Sequence, residues 1–335
     1  MPLPFILAGI ALASAGVGVK KGLEARDKNN RAKDIVSDAE NLINKTKTEA
    51  KISEELCKKA LENLGKAKLG GMKNLDHFVE VFKKIKNLEI DGIHLNDLNN
   101  IYISQEELEK MKKLGNFGIE VSAGLVQGSI AGGLAALGAY GGTMAFATAS
   151  TGTAISALSG AAATNATLAA LGGGSLAAGG LGMMGGATVL GGLLAGPAIA
   201  IAGFAMNSKA ESNLENARSE YNRAKVACEK AKIGIDKCNK ITKFSDMYAE
   251  TTIKLNTIFI SLIMRLEKII AELGSDFVYY NDSDKKVVAM SMAVAKAVKT
   301  IIEVSMLSKD NTLNCEAEKV LPLYQENAKK FGVEL

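Results

Sequence analysis

The chain has few of the residues that enzymes and cross-linked domains depend on. Its 335 residues include no tryptophan, four prolines, four cysteines and two histidines. Proline is scarce, and Ala, Leu, Glu and Lys are abundant outside one central region, which favours helix almost everywhere. The sequence therefore predicts an all-α fold with very little strand.

The cysteines are too scattered for a disulfide or zinc framework. Cys57, Cys228, Cys238 and Cys315 form no CxxC pair,. The first three fall on apolar helix stripes, where a free thiol behaves as a small hydrophobic side chain. This usage indicates synthesis in a reducing cytoplasm.

Motifs for catalysis or metal binding are also missing. Neither His77 nor His94 has the spacing of a metal ligand, and His77 is predicted at the polar edge of its helix,. The sequence contains no HExxH, nucleophile elbow or paired acid motif, and Gly172–Ser175 lacks the lysine of a phosphate loop,. We expect no enzyme activity, cofactor, metal or small-molecule substrate. Only a polar cluster built from distant helices would provide an active site.

Charge excludes another class of function. The net charge is +4, without a long block of Lys or Arg. Nucleic acid is therefore not expected as a main partner, although weak attraction to anionic lipid remains open.

The largest absence lies in the middle of the chain. The 88 residues from Val121 to Ser208 contain no Asp, Glu, Lys, Arg or His, but hold 21 of the 34 glycines and 24 alanines. A run of this length without charge belongs in a membrane or in a protein interior that other helices cover.

Glycine clusters divide this uncharged stretch into three pieces of helix length. They are 121–139, 143–171 and 175–206. Small residues four apart let helix backbones touch where no water drives association, so the glycines at this spacing are predicted to mediate helix packing and membrane insertion. They are Gly124, Gly128, Gly132, Gly138, Gly142, Gly182, Gly186, Gly192 and Gly196.

The uncharged stretch is only weakly apolar. Its first piece has six Leu, Ile and Val residues, worth about −3 kcal/mol together on insertion scales, and five glycines and Gln127 oppose them. Such a balance favours a segment that folds in water and inserts later. Permanent insertion and a glycine-rich buried core remain the alternatives.

Two long helices are predicted to flank the uncharged stretch. The first runs from Ala25 to Leu69 and ends at Gly70-Gly71, and the second begins with Asn207 or Ser208 as its cap. Both carry seams of mainly small residues in steps of three and four, which predicts coiled-coil-like pairing of the two helices in an elongated bundle. The seams are Val36, Ala39, Ile43, Thr46, Ala50, Ser53, Cys57, Ala60, Leu64 and Ala67, and Ala210, Leu214, Ala217, Tyr221, Ala224, Cys228, Ala231, Ile235 and Cys238.

Further helices complete the predicted bundle of five or six. We expect them at 72–88, after a capping box at Ser104–Glu107, and at 244–273, 287–306 and 316–331,. The cap of the fourth is expected at Asp282, Ser283 or Asp284, and the last should bend or start at Pro322.

The organisation predicted from these features has four parts. An apolar segment spans 1–21, helical bundle 22–120, the uncharged stretch 121–208 and further bundle 209–335. The apolar residues 2–19 precede Lys20 and Lys21, the reverse of a signal peptide, so we expect a retained segment. It either packs on the uncharged stretch or enters a membrane beside it.

The sequence resembles known proteins in two respects. The run Ser150–Ser175 and its continuation to Gly203 resemble a Gly/Ala-rich block of uncharacterised bacterial proteins that also begin with an MPLP-type segment followed by lysines. The overall plan is similar to that of α-helical pore-forming toxins of the cytolysin A and haemolysin BL type. That resemblance implies a helical bundle whose uncharged insertion is released on membrane contact. This chain departs from the plan in its longer insertion and in lacking a convincing secretion signal.

The sequence thus favours a membrane-active, toxin-like protein of pore-forming type. Its partners would be a lipid membrane and further copies of itself or related subunits. It would be made in the cytoplasm and associate with membranes when active. The alternative is a non-lytic scaffold in which the uncharged stretch anchors the protein or drives self-association.

Overall fold

The fold of the described residues consists of helices. A computed structural model describes residues 17–88, 103–126, 133–142, 214–308 and 313–330. The α-helices are α1 (Val17–Phe82), α2 (Gln105–Val126), α3 (Gly133–Tyr140), α4 (Leu214–Leu273), α5 (Asp282–Glu303) and α6 (Cys315–Lys330). Within these ranges the structure contains a short 3₁₀ helix at Phe277–Tyr279 and isolated bridges but no strand. The predicted all-α class is confirmed.

The chain divides into two compact units. One holds α1 up to Lys51 and α4 up to Ile233, and the other holds the rest of α1 and α4 together with α2, α3, α5 and α6. In the first unit a small apolar cluster joins α1 to α4, and the Cys228 thiol donates a long hydrogen bond of 3.9 Å to the Leu42 carbonyl. Its buried members are Ala39, Ile43, Ala224, Cys228 and Ala231.

In the second unit α1 and α4 run parallel. Contacts between the two helices follow the same order along both, because Ser53 bonds to Asn239, Asn74 to Asn256 and His77 to Glu267. The core between them includes the fully buried side chains of Phe78 and Phe259, whose rings lie 5.4 Å apart.

The predicted seams face the interior of each unit, except for Ala210, which lies outside the described residues. In α1 the seam residues Ala39, Ser53, Cys57 and Leu64 are all buried, and Ala224 is buried in α4. Small side chains therefore occupy the positions where the helices approach. Coiled-coil geometry and an elongated body remain predictions.

The predicted end of the first helix at Gly70-Gly71 is wrong. Helix α1 continues through both glycines to Phe82, so the helix expected at 72–88 is part of α1 and ends six residues earlier. Neither glycine has a positive φ, so neither caps the helix. Gly71 is needed for contact instead, since a Cβ there would lie 2.9 Å from Ile302 Cδ1 of α5.

Helix α4 likewise joins two elements that were predicted separately. The second long helix and the helix at 244–273 form one continuous helix of 60 residues. The connecting residues 239–243 contain no glycine or proline to interrupt the backbone hydrogen bonds,. The predicted cap at Asn207 or Ser208 lies outside the described residues.

Helix α2 begins at the predicted capping box and enters the uncharged stretch. The Ser104 amide donates to Glu107 Oε2 at 3.0 Å, and the Glu107 amide donates to Ser104 Oγ at 3.2 Å. The helix then continues beyond Val121 to Val126. Its Gly118 lies close to α1, because a Cβ there would be 2.6 Å from Met72 Cβ.

The N-terminal cap of α5 differs from the prediction, whereas α6 lies close to its predicted position. Asn281, not a residue from 282–284, caps α5, and its Oδ1 accepts from the Ser283 amide at 2.8 Å and the Asp284 amide at 3.0 Å. Helix α6 was predicted at 316–331 and is found at Cys315–Lys330 with Pro322 inside it, so it does not start at the proline; a bend there stays a prediction.

Replacing Asn281 with alanine should lower the free energy of unfolding by about 1 kcal/mol, because two amides in the first turn of α5 lose their acceptor,. Urea unfolding followed by circular dichroism measures the change. Asn281→Asp serves as the control, since a carboxylate at this position also accepts from the amides. Equal loss in both variants would contradict a capping role.

The cysteines and His77 lie where the sequence places them, and other predicted features lie outside the described residues. Side chains of Cys57, Cys228 and Cys238 are buried as free thiols, and Cys315 is exposed. His77 is half exposed and pairs with Glu267 at 2.9 Å, as expected at the edge of its helix. His94, the start of the apolar segment (residues 1–16) and residues 143–208 lie outside the described residues.

Candidate functional site

The described part of the uncharged stretch includes a short helix packed inside the second unit. Helix α3 comprises eight residues without charge. The side chains of Ala135, Leu137 and Ala139 are at most 1% exposed. This part of the uncharged stretch is therefore surrounded by protein. We call the place where α3 packs the α3 site.

Backbone contact between two glycines brings α3 onto α1. A Cβ at Gly65 would collide with the Leu134 carbonyl, and a Cβ at Gly138 would collide with the Leu61 carbonyl. Each glycine thus leaves room for the backbone of the other helix. No larger side chain is compatible with this separation of the helices, because the colliding atoms belong to the backbone and cannot rotate away.

The end of α3 turns between α2 and α5. Gly141 has a φ of +63°, which glycine adopts without strain, and its Cα faces the carbonyls of Ile302 and Val304,. A Cβ at Gly142 would lie 2.7 Å from Leu114 Cδ2 and 3.0 Å from Ile302 Cγ2. The α3 site is therefore closed by helices on several sides.

A buried lysine is the main polar group of the α3 site. The Lys68 side chain of α1 is 0% exposed. Its Nζ donates to the Val304 carbonyl at 2.6 Å and, more weakly, to the Gly138 carbonyl at 3.5 Å. One amine thus bridges α1, α3 and the segment after α5.

Burial sets the charge of this lysine. It lowers the pKa of the Lys68 amine from 10.5 to about 7, because a charged amine loses its hydration there. The accepting carbonyls are neutral dipoles and offset only part of that loss. The amine consequently changes charge near neutral pH, inside a packed core.

The segment after α5 is hydrogen-bonded to the end of α3. The Ala139 carbonyl accepts from the amides of Met306 at 2.7 Å and Leu307 at 3.0 Å, and from Ser305 Oγ at 3.3 Å. Carbonyls in the last turn of a helix have no partner within the helix. These bonds therefore satisfy the Ala139 carbonyl, which would otherwise be buried without a hydrogen bond.

The predicted packing glycines divide between the α3 site and other parts of the chain. Gly138 and Gly142 lie in the site, and Gly124 lies in α2. The partner of Gly138 is Gly65 of α1, outside the uncharged stretch. Those outside the described residues are Gly128, Gly132, Gly182, Gly186, Gly192 and Gly196. Their role in membrane insertion remains a prediction.

Sequence reasoning missed Lys68 and Gly65. Both fall on a stripe that continues the apolar face of α1 at steps of three and four, with Leu61, Met72 and Leu75 as buried neighbours. A lysine on such a stripe was the available signal.

Comparisons with known proteins give no relative. No family model, curated protein or solved structure matches the chain. Across the described ranges, no helix combines the length and apolar character needed to span a bilayer. The same part of the chain contains no group of metal-ligating side chains.

Proposed function

We propose that this chain is a membrane-active helical protein of pore-forming type. It keeps part of its uncharged stretch packed among helices, releases that part at a membrane, and then inserts and oligomerises through its glycines. The observation that carries the proposal is the α3 site, where uncharged residues are held by glycine contacts and by an amine that changes charge near neutral pH.

The strength of the holding contacts supports release. Besides apolar packing, α3 is retained by hydrogen bonds from Lys68 and from residues 305–307. A hydrogen bond of this kind contributes about 1 kcal/mol net. Charging a buried amine costs several times more, so protonation of Lys68 acts against the contacts that retain α3.

The apolar balance of the uncharged stretch supports conditional insertion. Its first piece gains only about 3 kcal/mol from its large apolar residues in a bilayer. Burial of Ala135 and Leu137 against protein offers a comparable environment. Two environments of similar free energy are what a segment needs if it changes from one to the other.

Dye release from liposomes tests the proposal. Purified full-length protein should release an entrapped dye from vesicles that contain anionic lipid, with a rate that rises as the pH falls through about 7. Charged Lys68 favours release of α3, and the net charge of +4 favours approach to the vesicle,.

The control variant for this experiment is Gly128→Leu with Gly132→Leu. It should bind vesicles but release little dye, because leucine at these positions separates helices that must touch to assemble. Circular dichroism confirms that the variant is folded. Absence of leakage by the parent over a broad range of pH and lipid charge would contradict the proposal.

A scaffold is the second candidate, favoured by an exposed stripe on α4. Ile253, Ile260 and Met264 are spaced by seven and four residues and are 56%, 42% and 63% exposed. Such spacing lines one face of a helix that another helix could cover. Detergent-free oligomers that dissociate in an Ile260→Lys variant, without any binding to lipid, would support the scaffold instead.

A further inference from the structure

Two cysteines far apart in sequence meet between α1 and α4. Cys57 and Cys238 are 0% and 2% exposed and belong to the same apolar core. Their side chains are close enough for each thiol to shift the pKa of the other. The contact therefore joins two thiols from different helices of the second unit.

Neighbouring contacts fix the alignment of this pair. One turn before Cys57, Ser53 Oγ bonds to Asn239 Oδ1 at 2.9 Å and donates to the Ile235 carbonyl at 3.3 Å. These residues lie beside Cys238 on α4. Small residues at Ser53 and Ala60 leave no bulky side chain that would keep the helices apart at this level.

The two thiols differ in acidity. Interaction with the Cys57 thiol, with a smaller contribution from Ser53, lowers the pKa of Cys238, although burial opposes it. Interaction with Cys238 and burial raise the pKa of Cys57. Cys238 is therefore the thiol that loses its proton first, and the thiolate is the nucleophilic form.

We propose that Cys57 and Cys238 form a redox-active pair that a peroxide converts into an interhelical disulfide, with Cys238 attacking first and Cys57 resolving the intermediate. This goes beyond the proposed membrane function and does not depend on it. Because the pair is buried, peroxide reaches it during local opening of the helices.

The chemistry balances with one peroxide. The Cys238 thiolate attacks an oxygen of hydrogen peroxide, the O–O bond breaks, and hydroxide leaves and takes a proton to become water. The product is a sulfenic acid at Cys238. The Cys57 sulfur then attacks the Cys238 sulfur, forms the S–S bond and releases a second water. Two thiols are oxidised and one peroxide is reduced to two waters.

The disulfide would enclose the centre of the chain. Residues between Cys57 and Cys238 include α2, α3 and the entire uncharged stretch. Oxidation would thus link α1, which precedes that stretch, covalently to α4, which follows it. This link does not depend on the function of the stretch. Closing so long a loop restricts the unfolded chain, so the oxidised protein should unfold at higher denaturant concentration.

The test uses full-length protein in which Cys228 and Cys315 are changed to serine, so that only the proposed pair remains. After treatment with hydrogen peroxide, mass spectrometry should show a monomer that has lost two hydrogen atoms. Digestion without reductant should give one cross-linked peptide that contains Cys57 and Cys238, and dithiothreitol should remove it.

Trapping with dimedone tests the order of the steps. In a Cys57→Ser variant the sulfenic acid at Cys238 should persist and be labelled at least about tenfold faster than Cys57 in a Cys238→Ser variant. Equal labelling would overturn the assignment of roles. If a single variant fails to fold, the cross-link in the parent pair still decides the main proposal.

Other results would overturn the pair itself. Peroxide concentrations that oxidise the exposed Cys315 of the unmodified protein provide the reference. If Cys57 and Cys238 remain reduced at these concentrations, they are inert buried side chains. Oxidation to sulfinic acid without a cross-link, or disulfides only between different molecules, would show that the sulfurs cannot meet.

Discussion

Replacing Lys68 with methionine should raise the free energy of unfolding by about 3 kcal/mol below pH 7 and should abolish acid-dependent dye release. The lowered pKa of about 7 against 10.5 corresponds to a cost of about 5 kcal/mol for keeping a charged amine buried, at about 1.4 kcal/mol per pKa unit. Methionine fills a similar volume without charge, but it leaves the Val304 carbonyl without its donor, which costs about 2 kcal/mol.

The pH dependence has a definite sign. Because the pKa of Lys68 is lower in the folded state, the unfolded chain binds more protons between pH of about 7 and 10.5. Stability of the parent therefore rises with pH across this window and is lowest, as far as Lys68 contributes, below it. The advantage of Lys68→Met should be greatest below about pH 7, shrink as the pH rises, and reverse near the upper end of the window.

Urea unfolding at several pH values measures this effect, with Lys66→Met as the control. Lys66 lies on the same helix but is exposed, so its replacement should change stability by no more than about 0.5 kcal/mol at any pH. A Lys68→Met variant that is less stable than the parent at acidic pH would show that the amine retains α3 even when charged.

Replacing Gly65 with alanine should destabilise the second unit by about 3 kcal/mol, the upper part of the usual range for overpacking. The added methyl group would collide with the Leu134 carbonyl of α3. Relief requires α3 to move as a whole, because a backbone carbonyl cannot rotate away. Gly138→Ala, which collides with the Leu61 carbonyl from the other side, should have the same effect.

Gly70→Ala on the same helix is the matched control for Gly65→Ala. The nearest atom to a Cβ at Gly70 is Asn256 Nδ2 at 3.3 Å, at the end of a side chain that can shift. Alanine also restricts the unfolded chain and favours helix, so this variant should be neutral or more stable by about 0.5 kcal/mol. Thermal unfolding followed by circular dichroism compares the three variants, and equal effects at Gly65 and Gly70 would rule out the specific contact.

Much of the fold could be predicted from local patterns. The steps of three and four that place Ala39, Ser53 and Cys57 on one face follow from helix geometry, and these residues are buried,. The capping box at Ser104 and Glu107 is likewise a property of four consecutive residues. Such features depend on neighbours along the chain, so the sequence carries them directly.

Glycine is where prediction from the sequence failed. Glycine is favoured both at a helix end and where a helix closely contacts another element, so Gly70-Gly71 is compatible with either. Only the contact of Gly71 with Ile302, which is distant in sequence, shows that the second applies,. The pairing of Gly65 with Gly138 has the same origin. Lys68 was missed for a related reason, since its burial follows from α3 and Val304 rather than from its own neighbours.

Hydrogen exchange of the α3 amides tests the central claim most directly, because the account requires residues 133–140 to leave their protein surroundings for lipid. Exchange is measured by mass spectrometry relative to the unfolded chain, above and below the Lys68 pKa of about 7, with and without anionic liposomes. The account predicts strong protection above this pH, weakened protection below it without liposomes, and renewed protection when liposomes are present. Protection of α3 that remains the same under all four conditions would contradict it.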